Sequence, residues 1–178
     1  MHDMLTWPPP VTTVAVIIVV VAAAVFDLGR RRIPNALTIG AAVVAVAMQT
    51  LLGGWAGLLS AVSGWMVGLV LFAPLYLLGG MGAGDVKLLA AIGAWLGPIG
   101  AAWVGLYGAV AGGALALVVA LARGYTKTAV KNVGTILRVW SMAGVQPVEG
   151  LTLADKSSVR LPYALPLAVG ALVTLWMR

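Results

Sequence analysis

Asp27 and Asp85 are the acidic side chains best placed to do chemistry in this chain. Asp27 ends a strongly apolar segment, in AVFDLGRRRIPN, and Asp85 begins a later one, in GMGAGDVKL. The other three acids, Asp3, Glu149 and Asp155, lie in polar flanks, where ordinary solvation explains them. Acids at the edge of apolar segments cost free energy to retain and are often functional. We therefore take Asp27 and Asp85 as candidate reactive groups.

Each aspartate also has an ordinary structural explanation. An ion pair with Arg30 or Arg31, one helical turn on, would account for Asp27, although such exposed pairs contribute little. A helix N-cap would account for Asp85, because its side chain can accept backbone N–H bonds from a helix that starts at Val86. For either residue alone these explanations suffice, and the case for chemistry rests on the two together.

Two carboxyl groups within hydrogen-bonding reach share one proton and titrate as a unit. The ionised member can then take a proton from water while the protonated member donates to a carbonyl oxygen, which hydrolyses an amide bond. The chain has no cysteine and one histidine, His2. This excludes cysteine nucleophiles and thiolate metal sites and leaves little for a metal cluster, so we expect neither a metal nor a cofactor.

The composition requires a lipid bilayer as part of the solvent. The chain is 62% hydrophobic and 9% charged, with a mean hydropathy of +1.06. A soluble protein of 178 residues could not cover so much apolar surface. The sequence therefore predicts an all-α, polytopic membrane protein forming a single membrane-embedded domain over residues 1–178. Six candidate spans are residues 11–26, 36–52, 55–78, 86–96, 99–121 and 161–177.

The basic residues predict the orientation of these spans. With the N-terminus outside, segments 27–35, 79–87 and 122–160 face the cytoplasm and hold ten of the eleven Lys and Arg residues; only Arg178 falls outside. This agrees with the positive-inside rule. The formal net charge of +6 is thus explained by topology, and we expect no nucleic-acid partner. Both Asp27 and Asp85 would lie at the cytoplasmic boundary.

Two segments need separate interpretations. Residues 86–96 form a helix of only about 17 Å, too short to cross alone, so this fourth span either continues through a kink or follows a re-entrant loop. In the loop 122–160, basic residues fall on one helical face and apolar residues on the other, which predicts an amphipathic helix on an anionic cytoplasmic leaflet. These are Lys127, Lys131 and Arg138 on one face, and Val130, Val133, Leu137 and Trp140 on the other.

Three motifs resemble those of type IV prepilin peptidases, which are GxGD membrane aspartyl proteases. GAGDVKL at 82–88 is similar to the family's G-x-G-D-x-K-L pattern, and Asp27 followed by RRIPN at 31–35 resembles its other acidic motif. LPYALPLAVG at 161–170 resembles the start of the last helix, with Ala164 where many relatives have glycine. The three occur in the family's order and cover most of the chain.

The resemblance implies that Asp27 and Asp85 are the catalytic pair of an aspartic endopeptidase. Gly82 and Gly84 would let the backbone bend beside the site, and Lys87 would be a motif residue without an assigned role. The implied reaction is removal of a short basic leader from prepilin or pseudopilin precursors, on the cytoplasmic side of the bacterial inner membrane.

The resemblance is to the short, peptidase-only branch that serves Flp-type, tight-adherence pili. Bifunctional members carry an N-terminal region with C-x-x-C motifs, whereas this chain starts ten residues before its first span and has no cysteine. Methyltransferase activity is therefore not expected. The alternative function is a small transporter or channel that uses Asp27 and Asp85 as a proton or cation site.

Overall fold

The computed structural model describes residues 10–148, 150–152 and 162–177. Every regular element in this part of the chain is a helix, which confirms the predicted all-α class. The five helices are α1 (Pro10–Arg30), α2 (Asn35–Leu77), α3 (Ala83–Ala122), α4 (Thr126–Ala143) and α5 (Ala164–Trp176). Several features used above lie outside the described residues: His2, Asp3, Glu149, Asp155, Lys156, Arg160, Arg178 and the first residue of the sixth predicted span.

The longest helix, α2, folds back on itself at Gly54. Its 43 residues would extend about 64 Å if straight, roughly twice the thickness of a bilayer core. Gly54 has non-helical angles (φ 57°, ψ −138°) that favour glycine. A Cβ atom added at Gly57 would collide with the backbone oxygen of Gln49. Residues eight apart in a continuous helix are separated by about 12 Å, so this contact requires a hairpin.

Helix α3 is interrupted in the same way at Gly97, which has φ 72° and ψ 179°. A Cβ atom added at Gly93 would lie 2.9 Å from the Cβ of Ala101, again eight residues on. Pro98 follows the break and has no N–H to donate. Both breaks fall between consecutive predicted spans, so the two long helices consist of four shorter ones.

The protein is a membrane protein. α1, α2 and α3 are each long and apolar enough to cross a bilayer, and α5 is a shorter apolar helix. α1, the two halves of α2, the two halves of α3, and α5 correspond in order to the six predicted spans. The number of crossings and their direction stay predictions.

The first half of α3, residues 83–96, lies at the centre of the structure. Residues 88–97 are all buried. The whole segment 83–96 is only about 21 Å long, which is shorter than the thickness of a bilayer core. Its backbone touches the second half of α2 through small residues: Gly64 contacts Gly93, and a Cβ atom added at Gly68 would lie 2.6 Å from the Cα of Ala90. Such residues allow close helix packing in membranes. The segment begins at Ala83, three residues before the predicted start at Val86.

Helix α4 confirms that the predicted loop contains a helix with amphipathic sequence. None of its residues is buried, and Val130, Val133 and Leu137 are exposed large apolar side chains. Lys127 and Lys131 are also exposed. The helix therefore has an apolar surface that the described part of the protein does not cover.

The Gln49 side chain provides a hydrogen-bond donor for a backbone carbonyl group beside the break in α3. Its side-chain Nε2 donates to the carbonyl oxygen of Trp95 at 2.7 Å, and Gln49 is only 4% exposed. Trp95 is in the last turn before Gly97, where carbonyl groups lose their intrahelical donors. An unsatisfied backbone group in an apolar environment is costly, so this bond stabilises the hairpin in α3.

We expect Gln49→Leu to destabilise the protein by about 1–3 kcal/mol, because the Trp95 carbonyl would be buried without a donor. Thr50→Val is the matched control, since the Thr50 hydroxyl donates within its own helix to Val46. Thermal unfolding in detergent, followed by circular dichroism, measures both. A melting temperature of Gln49→Leu equal to that of Thr50→Val would contradict this role for Gln49.

Candidate active site

A single cavity of about 750 Å³ contains both candidate aspartates. It lies where α1 ends and where α2 and α3 begin. The structure thus brings together two aspartates that are 58 positions apart in the sequence. The cavity is lined by Asp27, Arg30, Arg31, Arg32, Ile33, Pro34, Asn35, Gly82, Ala83, Gly84, Asp85 and Lys87.

Asp27 lies near the end of α1 and is 9% exposed. Its carboxylate Oδ2 accepts a hydrogen bond from the backbone N–H of Ala164 at 3.1 Å. The donor is the first residue of α5. A buried carboxylate requires hydrogen-bond donors. This donor lies 137 residues further along the chain.

Arg31 turns the chain away from α1 next to Asp27. It has φ 49°, a left-handed conformation that is uncommon outside glycine, and its N–H donates to the Asp27 carbonyl at 2.9 Å. Pro34 then leads into α2 with φ −62° and ψ 136°. This strained connection places Ile33 and Asn35 on the wall of the cavity.

Asp85 is in the first turn of α3 and is partly buried. The N-cap residue of α3 is Gly82, so the interpretation of Asp85 as the N-cap is wrong. The helix begins earlier than predicted, which places Asp85 as its third residue. Its carboxyl group is close enough to Asp27 for the two to interact electrostatically. A two-carboxyl site requires that the two groups influence each other's charge, and this arrangement meets that condition.

Gly82 and Gly84 provide space rather than unusual backbone angles. Gly82 has φ −79° and ψ 146°, which any residue can adopt, and neither glycine has a positive φ. A Cβ atom added at Gly82 would lie 3.0 Å from Oδ2 of Asp85, and one at Gly84 would lie 3.3 Å from the Cβ of Ile33. The turn before the motif instead uses Gly79, with φ 73°. Neither glycine therefore has a backbone angle that only glycine favours, and their proposed part in bending the chain beside the site stays a prediction.

Lys87 forms a hydrogen bond between the two chain segments that line the cavity. Its Nζ donates to the Oδ1 of Asn35 at 3.0 Å. The bond connects the beginnings of α2 and α3, and both residues line the cavity. This contact gives Lys87 a partner, and its role in the site stays a prediction.

The described part of the chain has no evident metal-binding site. Residues 10–148, 150–152 and 162–177 contain no group of three or more His, Cys, Asp or Glu side chains that could hold an ion. The expectation that no cofactor is needed stays a prediction. What the cavity does offer is a pair of interacting carboxyl groups beside exposed arginines.

The family model for the type IV leader peptidases matches residues 14–119, well over half of the chain. The chain belongs to this family. The matched region contains both aspartates and both cavity-lining segments. Family membership favours a peptidase over a transporter or channel. Comparison with individual proteins found no match, either among curated sequences or among solved structures.

Sequence reasoning missed the contributions of Asn35 and Ala164 to this leader peptidase. Asn35 belongs to the RRIPN motif, but the sequence does not indicate that its side chain accepts a hydrogen bond from Lys87. In the sequence, Ala164 is notable only because many relatives have glycine at this position. Its backbone donor could not be linked to Asp27 by any local pattern, since 137 residues separate them.

We expect Gly82→Ala to lower peptidase activity by about tenfold or more while leaving stability nearly unchanged, because its methyl group would displace the Asp85 carboxylate. Gly80→Ala is the control. A Cβ atom there would be 3.5 Å from the Leu75 oxygen, an ordinary contact, and Gly80 has no positive φ. Cleavage rates and melting temperatures of both variants test this. Full activity in Gly82→Ala would show that the carboxylate tolerates displacement.

Proposed function

We propose that this leader peptidase is a two-aspartate endopeptidase that removes the short basic leader of Flp-type prepilins or pseudopilins. The observation that carries the proposal is the single cavity lined by Asp27 and Asp85, within the region matched by the family. Hydrolysis would occur at the cytoplasmic boundary of the bacterial inner membrane. The proposal is limited to peptide hydrolysis and includes no methyl transfer.

In the proposed mechanism one aspartate is ionised and the other is protonated. The ionised carboxylate takes a proton from water as the water oxygen bonds to the carbonyl carbon of the scissile peptide. The protonated carboxyl donates its proton to the carbonyl oxygen. As the tetrahedral intermediate collapses, the second aspartate takes a proton back from one of its hydroxyl groups, the C–N bond breaks, and the amine leaves with a proton from the first aspartate. No metal or organic cofactor takes part.

The charges around the cavity restrict how a substrate enters. Arg30, Arg31 and Arg32 are exposed at the cavity, and Lys87 adds a fourth cation to its lining. Like charges repel, so the basic residues of a leader would lie away from this rim, in water. The scissile peptide alone would enter between the aspartates.

The exposed apolar surface of α4 supports the proposal that this helix lies on the cytoplasmic leaflet. Its apolar residues would enter the interface, while Lys127, Lys131 and Arg138 would face anionic headgroups. Lipid contact would cover the apolar surface that the described protein leaves open. The proposed role of α4 is anchoring near the site.

Substitution of either aspartate tests the mechanism directly. In cells that co-express the peptidase with an Flp-type prepilin, we expect Asp27→Asn and Asp85→Asn each to lower cleavage by about 10²-fold or more, because the amide can neither take nor donate the required proton. The shift from precursor to mature size on a gel measures cleavage.

Asp3→Asn is the control, since it makes the same chemical change in a polar flank and we expect full cleavage. Each variant must insert into the membrane at the native level. Undiminished cleavage by both Asp27→Asn and Asp85→Asn would rule out the mechanism. An inserted native protein that cleaves no prepilin would rule out the proposed substrate.

The proposed six-span topology predicts which positions are accessible from outside. Because the chain has no cysteine, single-cysteine variants can be labelled without background. In spheroplasts, a membrane-impermeant maleimide should label Gly53→Cys, which lies beside the break in α2, but not Gly80→Cys. Labelling of Gly80→Cys should require lysis. Both positions are exposed in the protein, so burial does not explain a difference.

An arrangement with only three straight spans gives the opposite pattern. It would place Gly80 outside and Gly53 within the hydrocarbon. Thr128→Cys in α4 serves as a cytoplasmic reference in both arrangements. Labelling of Gly80→Cys in intact spheroplasts would contradict the six-span proposal.

A further inference from the structure

The hydrogen bond between Asp27 and α5 connects a candidate catalytic side chain to a helix beyond the matched family region. The N–H of Ala164 donates to Oδ2 of Asp27 at 3.1 Å, and Ala164 itself is 0% exposed. The family model ends at residue 119. The candidate site therefore has a third structural component besides the two aspartate-bearing segments.

The first turn of α5 leaves one backbone donor for a partner outside the helix. The N–H groups at the start of a helix have no intrahelical acceptor. That of Leu165 donates to Pro162 and that of Leu167 to Tyr163, at 3.3 and 3.2 Å. Pro166 has no N–H, and Tyr163, the N-cap, makes no side-chain cap bond. Ala164 is the remaining donor, and Asp27 accepts from it.

Close packing fixes the position of this donor. α5 contacts the second half of α3 through glycines: a Cβ atom added at Gly170 would lie 2.6 Å from the Gly108 nitrogen. A Cβ atom added at Gly112 would lie 2.8 Å from the hydroxyl oxygen of Tyr163. One contact is between backbones and the other is with the Tyr163 side chain, and both place α5 directly against α3. The N–H of Ala164 belongs to the backbone of this packed helix rather than to a flexible side chain.

We propose that the N-terminus of α5 positions the Asp27 carboxylate for catalysis through the N–H of Ala164. The bond occupies Oδ2 and leaves Oδ1 of Asp27 for the substrate or the attacking water. Ala164 is then a positioning residue, acting through Asp27 and not touching the substrate. The inference rests on the proposed function, because it assumes that Asp27 is catalytic.

The hydrogen bond itself can be tested without any activity measurement. Tyr163 and Ala164 form the only Tyr-Ala sequence in the chain, so labelling Tyr carbonyls with ¹³C and Ala amides with ¹⁵N selects one amide signal. We expect the Ala164 amide proton to shift upfield in Asp27→Leu, which removes the acceptor. In Asp27→Asn the side-chain oxygen can still accept, so a smaller shift is expected. An unchanged signal in Asp27→Leu would overturn the proposal.

The catalytic consequence is tested with two proline variants. Ala164→Pro removes the donor to Asp27, whereas Leu165→Pro removes only the local bond to Pro162. Both place proline after a residue with helical backbone angles, Tyr163 or Ala164, so they share that steric cost. We expect kcat of Ala164→Pro to be about tenfold or more below that of Leu165→Pro, with similar KM, because a misplaced carboxylate slows chemistry rather than binding.

Ala164→Gly keeps the N–H and should retain the native kcat. Equal kcat in the two proline variants, both shown to be folded by circular dichroism, would overturn the positioning role. If the native protein cleaves no prepilin, the proposed function fails, yet the amide signal of Ala164 still reports whether α5 binds Asp27. The two failures are therefore distinguishable.

Discussion

The structure depends on the direct backbone contact between the second half of α2 and the first half of α3. Gly64 touches Gly93 there, and Gly68 lies against Ala90. With no side chains between them, dispersion forces act over the whole contact, which matters in a bilayer where hydrophobic burial drives little helix association. The contact encloses residues 83–96, a segment too short to cross alone, and so fixes the first turn of α3, which carries Asp85.

The positions of the helices could be predicted from the sequence because each depends on local composition. Apolar segments separated by polar or glycine-containing connections identified α1, α2, α3 and α5, and both breaks fell between predicted spans. The spacing of basic and apolar residues identified α4. The start of α3 was less accurate. Aspartate is favourable both at the N-cap and in the first turn, so a local rule could not decide between Val86 and Ala83 as the first residue.

The candidate site was only partly predictable, since its geometry depends on contacts between distant segments. Motifs identified Asp27 and Asp85, and the cavity brings them together. The structure gives Gly82 a second explanation. Backbone freedom is a local property that the sequence can indicate, whereas the space that Gly82 leaves for the Asp85 carboxylate appears only after folding. The partner of Asp27 likewise lies on a helix that no local pattern connects to it.

The attachment of Asp27 to α5 has a consequence for how the enzyme is made. A ribosome synthesises α1 before α5, so a nascent chain carries both aspartates before Ala164 emerges. Until α5 inserts and docks against α3, the Asp27 carboxylate lacks its backbone donor. A membrane-inserted chain to which α5 has not yet been added would therefore hold both aspartates without the hydrogen bond from Ala164.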